Sequence, residues 1–541
     1  MSGNSKGVVF ITEALRRFVR SHLNEASCAG AIICAFLIFN LATINQFGSS
    51  YDENFGMQRG ENAIRIVETA AFGNLDEPVD SDLTFHPSFY ATLNYVVNEF
   101  LVEHLGWESA PAGHLLNIVA ATFGLVSIFF VGRQLFNPRV GLISVLFMVL
   151  FPRYIAHAHY NPKDVPLMAF GTFTLWLLYR AVKRDAAKDW IIAALSCAIS
   201  VDTKLDGLFL IPIFMIPWLL SGFGDATISW RHRFQRAILF LFCSIYFIFM
   251  LWPALWVDPF HLFKSVSHFS TYFQDQSKTL MYLGVRYPLD QLPWHYMAVQ
   301  LIVVTPVISL FAVVAGAIWS LQSLIQRRDV FKYGLLWCWL VIPLAARWLP
   351  GTIQYDGMRH VFLVVPVMAL FAGIFIDQLL LFWAARQRSF IPRVAVLMTL
   401  ALWLGWQIVQ IHPLEGYYLN EGARRCVPAN RLSAYFDLKG WGTIFKQGMD
   451  WINLNAPTNS SFAFGDDAFQ WKRYPIRKDL HLLSPEEISN ADYVIVAGWR
   501  NDVKRELGTP VAYTVQCYGA DLLWILHTNA TEQPHLVRAG N

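Results

Sequence analysis

Residues 189–221, DWIIAALSCAISVDTKLDGLFLIPIFMIPWLLS, decide how this chain is threaded. The stretch is too long for a single crossing, which takes roughly 20 residues. Its middle, Asp202-Thr203-Lys204-Leu205-Asp206, is polar. Basic residues flank both ends, with Arg180, Lys183, Arg184 and Lys188 before it and Arg231, Arg233 and Arg236 after it. Short loops rich in Lys and Arg stay in the cytoplasm. Both ends therefore share one side, and the stretch reads as two short helices that go out and return.

The same rule orients the rest. Arg133 and Arg139, the cluster Arg327, Arg328 and Lys332, the cluster Arg386, Arg388 and Arg393, and the N-terminus with Arg16, Arg17 and Arg20 all read as cytoplasmic. Apolar runs between these points fall at 29–47, 112–133, 140–158, 165–182, 237–257, 298–320, 330–349, 360–382 and 393–412. With the 189–221 pair they make about eleven membrane helices at the usual span length. The first 28 residues lack a cleavable signal pattern, so the first run is expected to remain as an anchor. Residues 48–111, 157–164, 258–297, 350–359 and everything after 412 then share the external face.

Composition supports this class. The 541 residues are 55% hydrophobic and 15% charged, with a mean hydropathy of +0.38. That is too apolar for a soluble chain of this length. A formal balance of +3, spread in short clusters, argues against a nucleic-acid partner.

The external segments are not plain linkers. From Phe89 the apolar Leu93, Val96, Val97, Phe100, Leu101 and Leu105 recur at helical spacing, with Asn94, Asn98 and Glu99 opposite. That pattern predicts an amphipathic helix lying in the membrane interface, and a weaker one is read from Glu53 to Ala71. The chain is expected to divide into a cytoplasmic N-terminus (1–28), a membrane part (29–412, with its first external loop at 48–111) and an external α/β domain (413–541). In the last, a helix is predicted at Trp441–Asn453 and strands at Ser461–Gly465, Ala491–Ala497, Val511–Tyr518 and Leu522–His527. Of the seven cysteines, Cys426 and Cys517 stand in this tail, where they either pair or remain two unrelated thiols.

Asp52 and Glu53 follow the first span directly. An acid pair at a membrane boundary is costly and reads as functional, although a solvated loop start would also produce it. The second external loop adds His157, His159, Asn161, Lys163 and Asp164, bent by Pro162 and Pro166. So many polar groups in so short a turn suggest the lining of a site, and Asp164 could equally be a helix cap. Arg359 stands at an external boundary where the charge rule would not place it. It is either a ligand clamp or an interfacial Arg reaching lipid headgroups.

The order of these pieces resembles a known family. The acid pair is followed by His86-Pro87-Ser88-Phe89-Tyr90, Leu135-Phe136-Asn137-Pro138-Arg139-Val140-Gly141 and Asn161-Pro162-Lys163-Asp164-Val165-Pro166. Later come Leu292-Pro293-Trp294-His295-Tyr296, Tyr355-Asp356-Gly357-Met358-Arg359-His360 and His412-Pro413-Leu414-Glu415-Gly416-Tyr417-Tyr418-Leu419-Asn420. This is similar to the lipid-phosphate-sugar-dependent glycosyltransferases of the GT-C fold, which include the dolichyl-phosphate-mannose protein mannosyltransferases and the bacterial aminoarabinose transferases of lipid A. The resemblance covers roughly residues 25–455 and implies a polytopic α-helical enzyme that moves a sugar, with inversion, from a polyprenyl phosphate to an acceptor hydroxyl outside the cytoplasm. The acceptor could be lipid, glycan or protein.

The resemblance also implies roles. Asp52 falls on the family's base, with Glu53 beside it; crowding and partial desolvation are expected to raise the base's pKa. Asp164 falls on the second acidic site. Arg359 with Tyr355 is the first choice for the donor phosphate, with Arg286, Lys163, Lys264 and Arg347 as weaker ones, and His86 and His159 as further substrate contacts. Some relatives bind zinc near the position of His86. His86, His261, His268 and His295 show no ligand spacing beside an acid, so no required metal or cofactor is expected. Loop 258–297 has no room for an inserted β-trefoil, and no Gly-rich nucleotide loop is present. A free-standing enzyme of a bacterial inner membrane, active on the periplasmic face, fits better. The competing reading is a transporter or flippase of lipid-linked saccharides, for which inverted repeats would be expected and none is evident.

Overall fold

The computed structural model describes residues 24–72, 84–223, 229–271, 279–349, 352, 354–386, 391–465 and 472–528. Arg16, Arg17, Arg20 and Arg388, read above as cytoplasmic, lie outside the described residues.

Among these residues the helices Glu25–Ala42, Ser109–Leu135, Asp164–Arg184, Trp230–Leu251, Val307–Ile325 and Gly357–Arg386 are long and apolar enough to cross a membrane. They differ in what surrounds them. Of the apolar window, 72% is buried in Asp164–Arg184 and in Gly357–Arg386, against 17% in Glu25–Ala42 and in Trp230–Leu251. The outer helices leave Ile38, Phe242 and Ile245 bare, each about two-thirds exposed or more. Such a belt is stable only where lipid is the solvent. The chain is an integral membrane protein, mostly helical.

The 189–221 stretch divides as its polar centre dictates. Ala187–Thr203 ends where Lys204 turns extended, a short 3₁₀ turn follows at Leu205–Phe209, and Leu210–Ser221 completes the pair. Two other expected spans are interrupted. The 140–158 run breaks into Pro138–Val149 and Pro152–Tyr160, bent by 71°, and the second piece is buried throughout. The 298–320 run splits into Tyr296–Val304 and Val307–Ile325. Pro152 and Pro306 lack the amide that would continue each helix, while hydropathy runs on through both.

In the first loop the Tyr51–Phe72 and Phe89–Leu105 helices pack together, so closely that a Cβ on Gly60 would overlap Ala91. The second helix is inverted relative to a soluble one. Asn94 and Asn98 are buried, and Asn98 Nδ2 donates to the Ser109 carbonyl at 2.9 Å, whereas Leu93, Val96, Phe100 and Leu105 are exposed.

After residue 412 a five-stranded sheet forms in the order β4-β3-β5-β7-β6 from β3 (Ser461–Phe464), β4 (His481–Leu482), β5 (Tyr493–Ala497), β6 (Val511–Cys517) and β7 (Ala520–His527). β3 runs parallel to β4 and β5, and β7 is antiparallel to β5 and β6. The Phe445–Asn455 helix packs on it through Met449 and Ile452, both fully buried. Cys517 is buried in β6 and Cys426 exposed, and both are free thiols. A hairpin unforeseen in the sequence, β1 (Thr279–Tyr282) and β2 (Val285–Pro288), turns at Leu283 and Gly284, both at positive φ.

The tail is sewn to the start of the first loop. Ser49 N donates to the Tyr474 hydroxyl at 2.7 Å, and Arg473 donates to Ser109 O at 2.6 Å and to Ser49 Oγ at 3.2 Å. Gly48 lies against the Thr443 carbonyl, which any Cβ there would overlap. These contacts fix where the Tyr51–Phe72 helix begins.

Candidate active site

Asp52 and Glu53 occupy the first turn of that helix and point apart, since successive helical residues are about 100° apart around the axis. Glu53 is fully buried. Its Oε2 accepts from Ser50 N at 2.7 Å, closing the helix end, and its Oε1 lies 3.3 Å from His114 Nε2. It is a capping and packing acid, turned away from its neighbour.

Asp52 faces a cluster of cations. Its Oδ2 is 2.7 Å from Arg359 and 3.2 Å from Lys163 Nζ. Arg59 stands on the same helix face, seven residues on, where its charge also acts on Asp52. Burial pushes the Asp52 carboxyl up, but Lys163, Arg359 and Arg59 outweigh it and hold the group far below the usual carboxylate range. The expected upward shift from Glu53 is thus corrected, because Glu53 is not in the cluster. Lys163 is pushed down to about 7 by burial and by the neighbouring Arg59, against the pull of Asp52.

Arg359 is held on several sides. Its second guanidinium nitrogen is 2.8 Å from Asp356, and the group lies 3.9 Å from the Trp441 ring centre and 4.9 Å from that of Tyr355. Its buried Nε has no hydrogen-bond partner among the described residues. Burial raises the Asp356 carboxyl to about 6 despite Arg359. Asp356 and Trp441 both adopt positive φ, at 52° and 61°. Backbone strain of this kind collects at functional sites.

A second chain of charges runs behind the first. Asp164 meets Lys204 at 2.6 Å, Lys204 meets Asp206 at 3.0 Å, and Arg347 meets Asp206 at 2.5 Å. Asn161 orders this corner, accepting from Asp164 N at 2.8 Å and donating to its carboxylate at 3.1 Å. The polar centre of the 189–221 stretch is thereby delivered to the site.

The other expected residues divide. His86 is close enough to Lys163, Arg59 and Asp52 for their charges to bear on it, and burial followed by those two cations keeps its ring neutral, well below its ordinary pKa. His159 is not at the cluster. Both its nitrogens face backbone carbonyls, Ile155 at 3.0 Å and Asn40 at 3.3 Å, and its ring stacks on Phe47. Lys264 pairs with Asp258. Arg286, on β2, lines a separate cleft with the tail. No group of three or more His, Cys, Asp or Glu suited to a metal occurs among the described residues.

Arg59, Asp356, Asp206 and Trp441 were not singled out as site residues from the sequence. The spacing of Asp52 and Arg59 is a usable signal, since seven residues is two helical turns. Nothing local marks Trp441, which arrives from the tail.

Residues 101–256, which hold Lys163, Asp164 and Lys204, match the family described as dolichyl-phosphate-mannose-protein mannosyltransferase. Among solved structures, the oligosaccharyltransferase of Archaeoglobus fulgidus superposes with a TM-score of 0.52 at 10% identity, covering 89% of this chain and 70% of that one. ArnT from Cupriavidus metallidurans, bound to undecaprenyl phosphate, gives 0.49 at 13% identity, covering 93% and 98%. Among curated proteins no sequence matches. At these identities the likeness is one of fold, and the first structure carries it. The chain has the GT-C glycosyltransferase fold. The resemblance drawn from the ordered motifs is borne out at the level of fold.

Proposed function

We propose that this protein transfers a sugar, with inversion, from a polyprenyl-phosphate donor to an acceptor hydroxyl on the extracytoplasmic face of a bacterial inner membrane. The observation that carries the reading is Asp52 at a helix start, shared among Arg359, Lys163 and Arg59, beside an orphaned Arg359 donor. Two carboxylates, Asp52 and Asp356, face three cations, and a buried guanidinium N–H without a partner calls for a further acceptor. The phosphodiester of the donor supplies oxygens and one negative charge, and the phosphate monoester that leaves carries a second.

In this reading the ion pairs to Arg359 and Lys163 hold Asp52 as a poor base until donor binds. The donor phosphate draws Arg359 and Lys163 toward itself, so Asp52 regains basicity only when donor is present. Asp52 then takes the acceptor hydroxyl proton while the acceptor oxygen attacks the anomeric carbon from the face opposite the phosphate. The bond from that carbon to the phosphate oxygen breaks, and its electron pair leaves with the polyprenyl phosphate, whose growing charge the cations stabilise. Asp164, held by Asn161 and Lys204, orients sugar or acceptor, with His86 and Tyr355 as further contacts. No metal or cofactor is needed for these steps. The exposed apolar edge of Phe89–Leu105 lies in the interface beside the site. About eleven spans, a cytoplasmic 1–28, a catalytic membrane part 29–412 and an extracytoplasmic domain from 413 complete the proposal.

The test incubates purified wild type and Asp52→Asn with a panel of polyprenyl-phosphate sugars. The expected result is donor consumption by wild type and a drop of about 10²–10⁴-fold in the variant, with donor still bound. A variant as fast as wild type would overturn the base assignment.

A further inference from the structure

A cleft of about 610 Å³ lies away from Asp52, between the β1–β2 hairpin, the segment 433–439 and the turn and helix start of the tail at Gly498–Arg505. Its walls are fixed. Leu283 N and Gly284 N in the hairpin turn donate to the carbonyls of Tyr435 and Ala434 at 2.9 and 3.1 Å. Its size is that of a small-molecule site.

The charges in it are unevenly satisfied. Every carboxylate in the lining is engaged: Asp437 accepts from Gly357 N and the Tyr296 hydroxyl, Asp502 pairs with Arg500, and Asp521 accepts from Trp524 Nε1 and Gln516. Arg286, Lys439 and Arg505 have no side-chain hydrogen bond or ion pair among the described residues. These three cations come from three different segments of the chain. Trp499 adds an aromatic face to the same lining.

The cleft also adjoins a small cavity beside the site. Asp437 and Lys439 line both it and a water-sized cavity that reaches Asp356 and Trp441, the two residues that hold Arg359. Asp437 bonds the amide of Gly357, two residues from Arg359.

We propose that this cleft anchors a part of the acceptor remote from its reacting hydroxyl, and that this part is an anionic saccharide, its phosphate or carboxylate held by Arg286, Lys439 and Arg505 and a sugar ring against Trp499. Guanidinium groups favour such oxyanions through paired N–H donors, and an aromatic face favours the apolar side of a sugar ring. The inference rests on the transferase reading above and names its second substrate.

The experiment measures binding to the full-length protein in detergent by calorimetry, with trehalose 6-phosphate, a glucuronic-acid disaccharide, neutral trehalose and inorganic phosphate as probes. At least one acidic disaccharide is expected to bind about tenfold or more tighter than trehalose and than inorganic phosphate, as charge-assisted hydrogen bonds require. The arm that binds tells phosphate from carboxylate. Charge reversal in Arg286→Glu/Arg505→Glu is expected to abolish the preference, and Arg286→Lys/Arg505→Lys to retain part of it. Equal binding of trehalose, equal binding of phosphate alone, or an unchanged charge-reversed variant overturns the proposal. Binding of a polyprenyl phosphate to wild type is measured separately. Its absence with acidic-sugar binding intact defeats the transferase reading, whereas its presence without acidic-sugar binding defeats only the acceptor assignment.

Discussion

Asp52 and Glu53 are neighbours in sequence and belong to different parts of the molecule. Asp52 enters a cluster with surplus cations drawn from the second loop, its own helix and the 355–360 turn. Glu53 faces inward to the Ser50 amide and His114, with Arg473 close enough for its charge to be felt. The first environment holds more cations than carboxylates, whereas the second sets one carboxylate against the Ser50 amide, His114 and the nearby Arg473. Chemistry is expected from the cation-rich one, because there binding energy can be spent on an incoming negative charge.

Exchanging the acids tests this division most sharply. Asp52→Asn is expected to remove transfer by about 10²–10⁴-fold and also to lower thermal stability, because Arg359, Lys163 and Arg59 lose a carboxylate whose attraction outweighs its burial. Activity assays beside thermal unfolding in detergent check both halves, and a stable, fully active variant would erase the distinction. Next in size, Arg359→Ala is expected to cost about 10²–10³-fold in transfer, the range for removing one donor to a developing oxyanion. Arg359→Lys should recover a part only, lacking the forked geometry. If the lysine variant equalled wild type, the phosphate-clamp role would be lost.

For the other acid the loss is confined to stability. Glu53→Ala should lower stability by about 1–3 kcal/mol, since Ser50 N and His114 lose a buried partner. The folded fraction should keep most of its turnover. A loss of turnover matching that of Asp52→Asn, in protein shown to be folded, would place Glu53 in the chemistry after all.

The smallest effect concerns protons. Burial and the neighbouring Arg59 push Lys163 down to about 7, so before donor binds it is mostly neutral at pH 8. An arriving phosphate favours its charged form, so donor binding at pH 8 should take up a proton, and at pH 6 little or none. Calorimetry in buffers of differing ionisation enthalpy reads this directly, and Lys163→Arg should abolish the uptake. The same shift bears on stability with a definite sign. Between about 7 and the ordinary lysine value the unfolded chain carries the extra proton, so this group's destabilising contribution fades as pH rises through that window.

Much of the architecture was legible in the chain. Apolar length and basic flanks located the helices, and the polar Asp202–Asp206 centre correctly divided 189–221. Alternation located most of the tail strands. The interruptions at Pro152 and Pro306 were missed, since hydropathy measures transfer to lipid and is indifferent to a missing amide. The site was half legible. Asp52, Lys163, Asp164 and Arg359 stood out because charge at a membrane boundary is costly. His159 stood out for the same reason and proved to be a bracket between backbone carbonyls.

The sequence by itself determined that this is a helical membrane protein, and which polar groups its membrane boundaries must accommodate. Only the tertiary structure decided which acid of the pair meets the cations. Helix phase and the clamp of Ser49 and Ser109 by Arg473 and Tyr474 of the tail set that direction, and those contacts span more than 360 residues of chain. Trp441 beneath Arg359 and the cleft behind Asp437 arise in the same way, from segments that no local pattern could bring together.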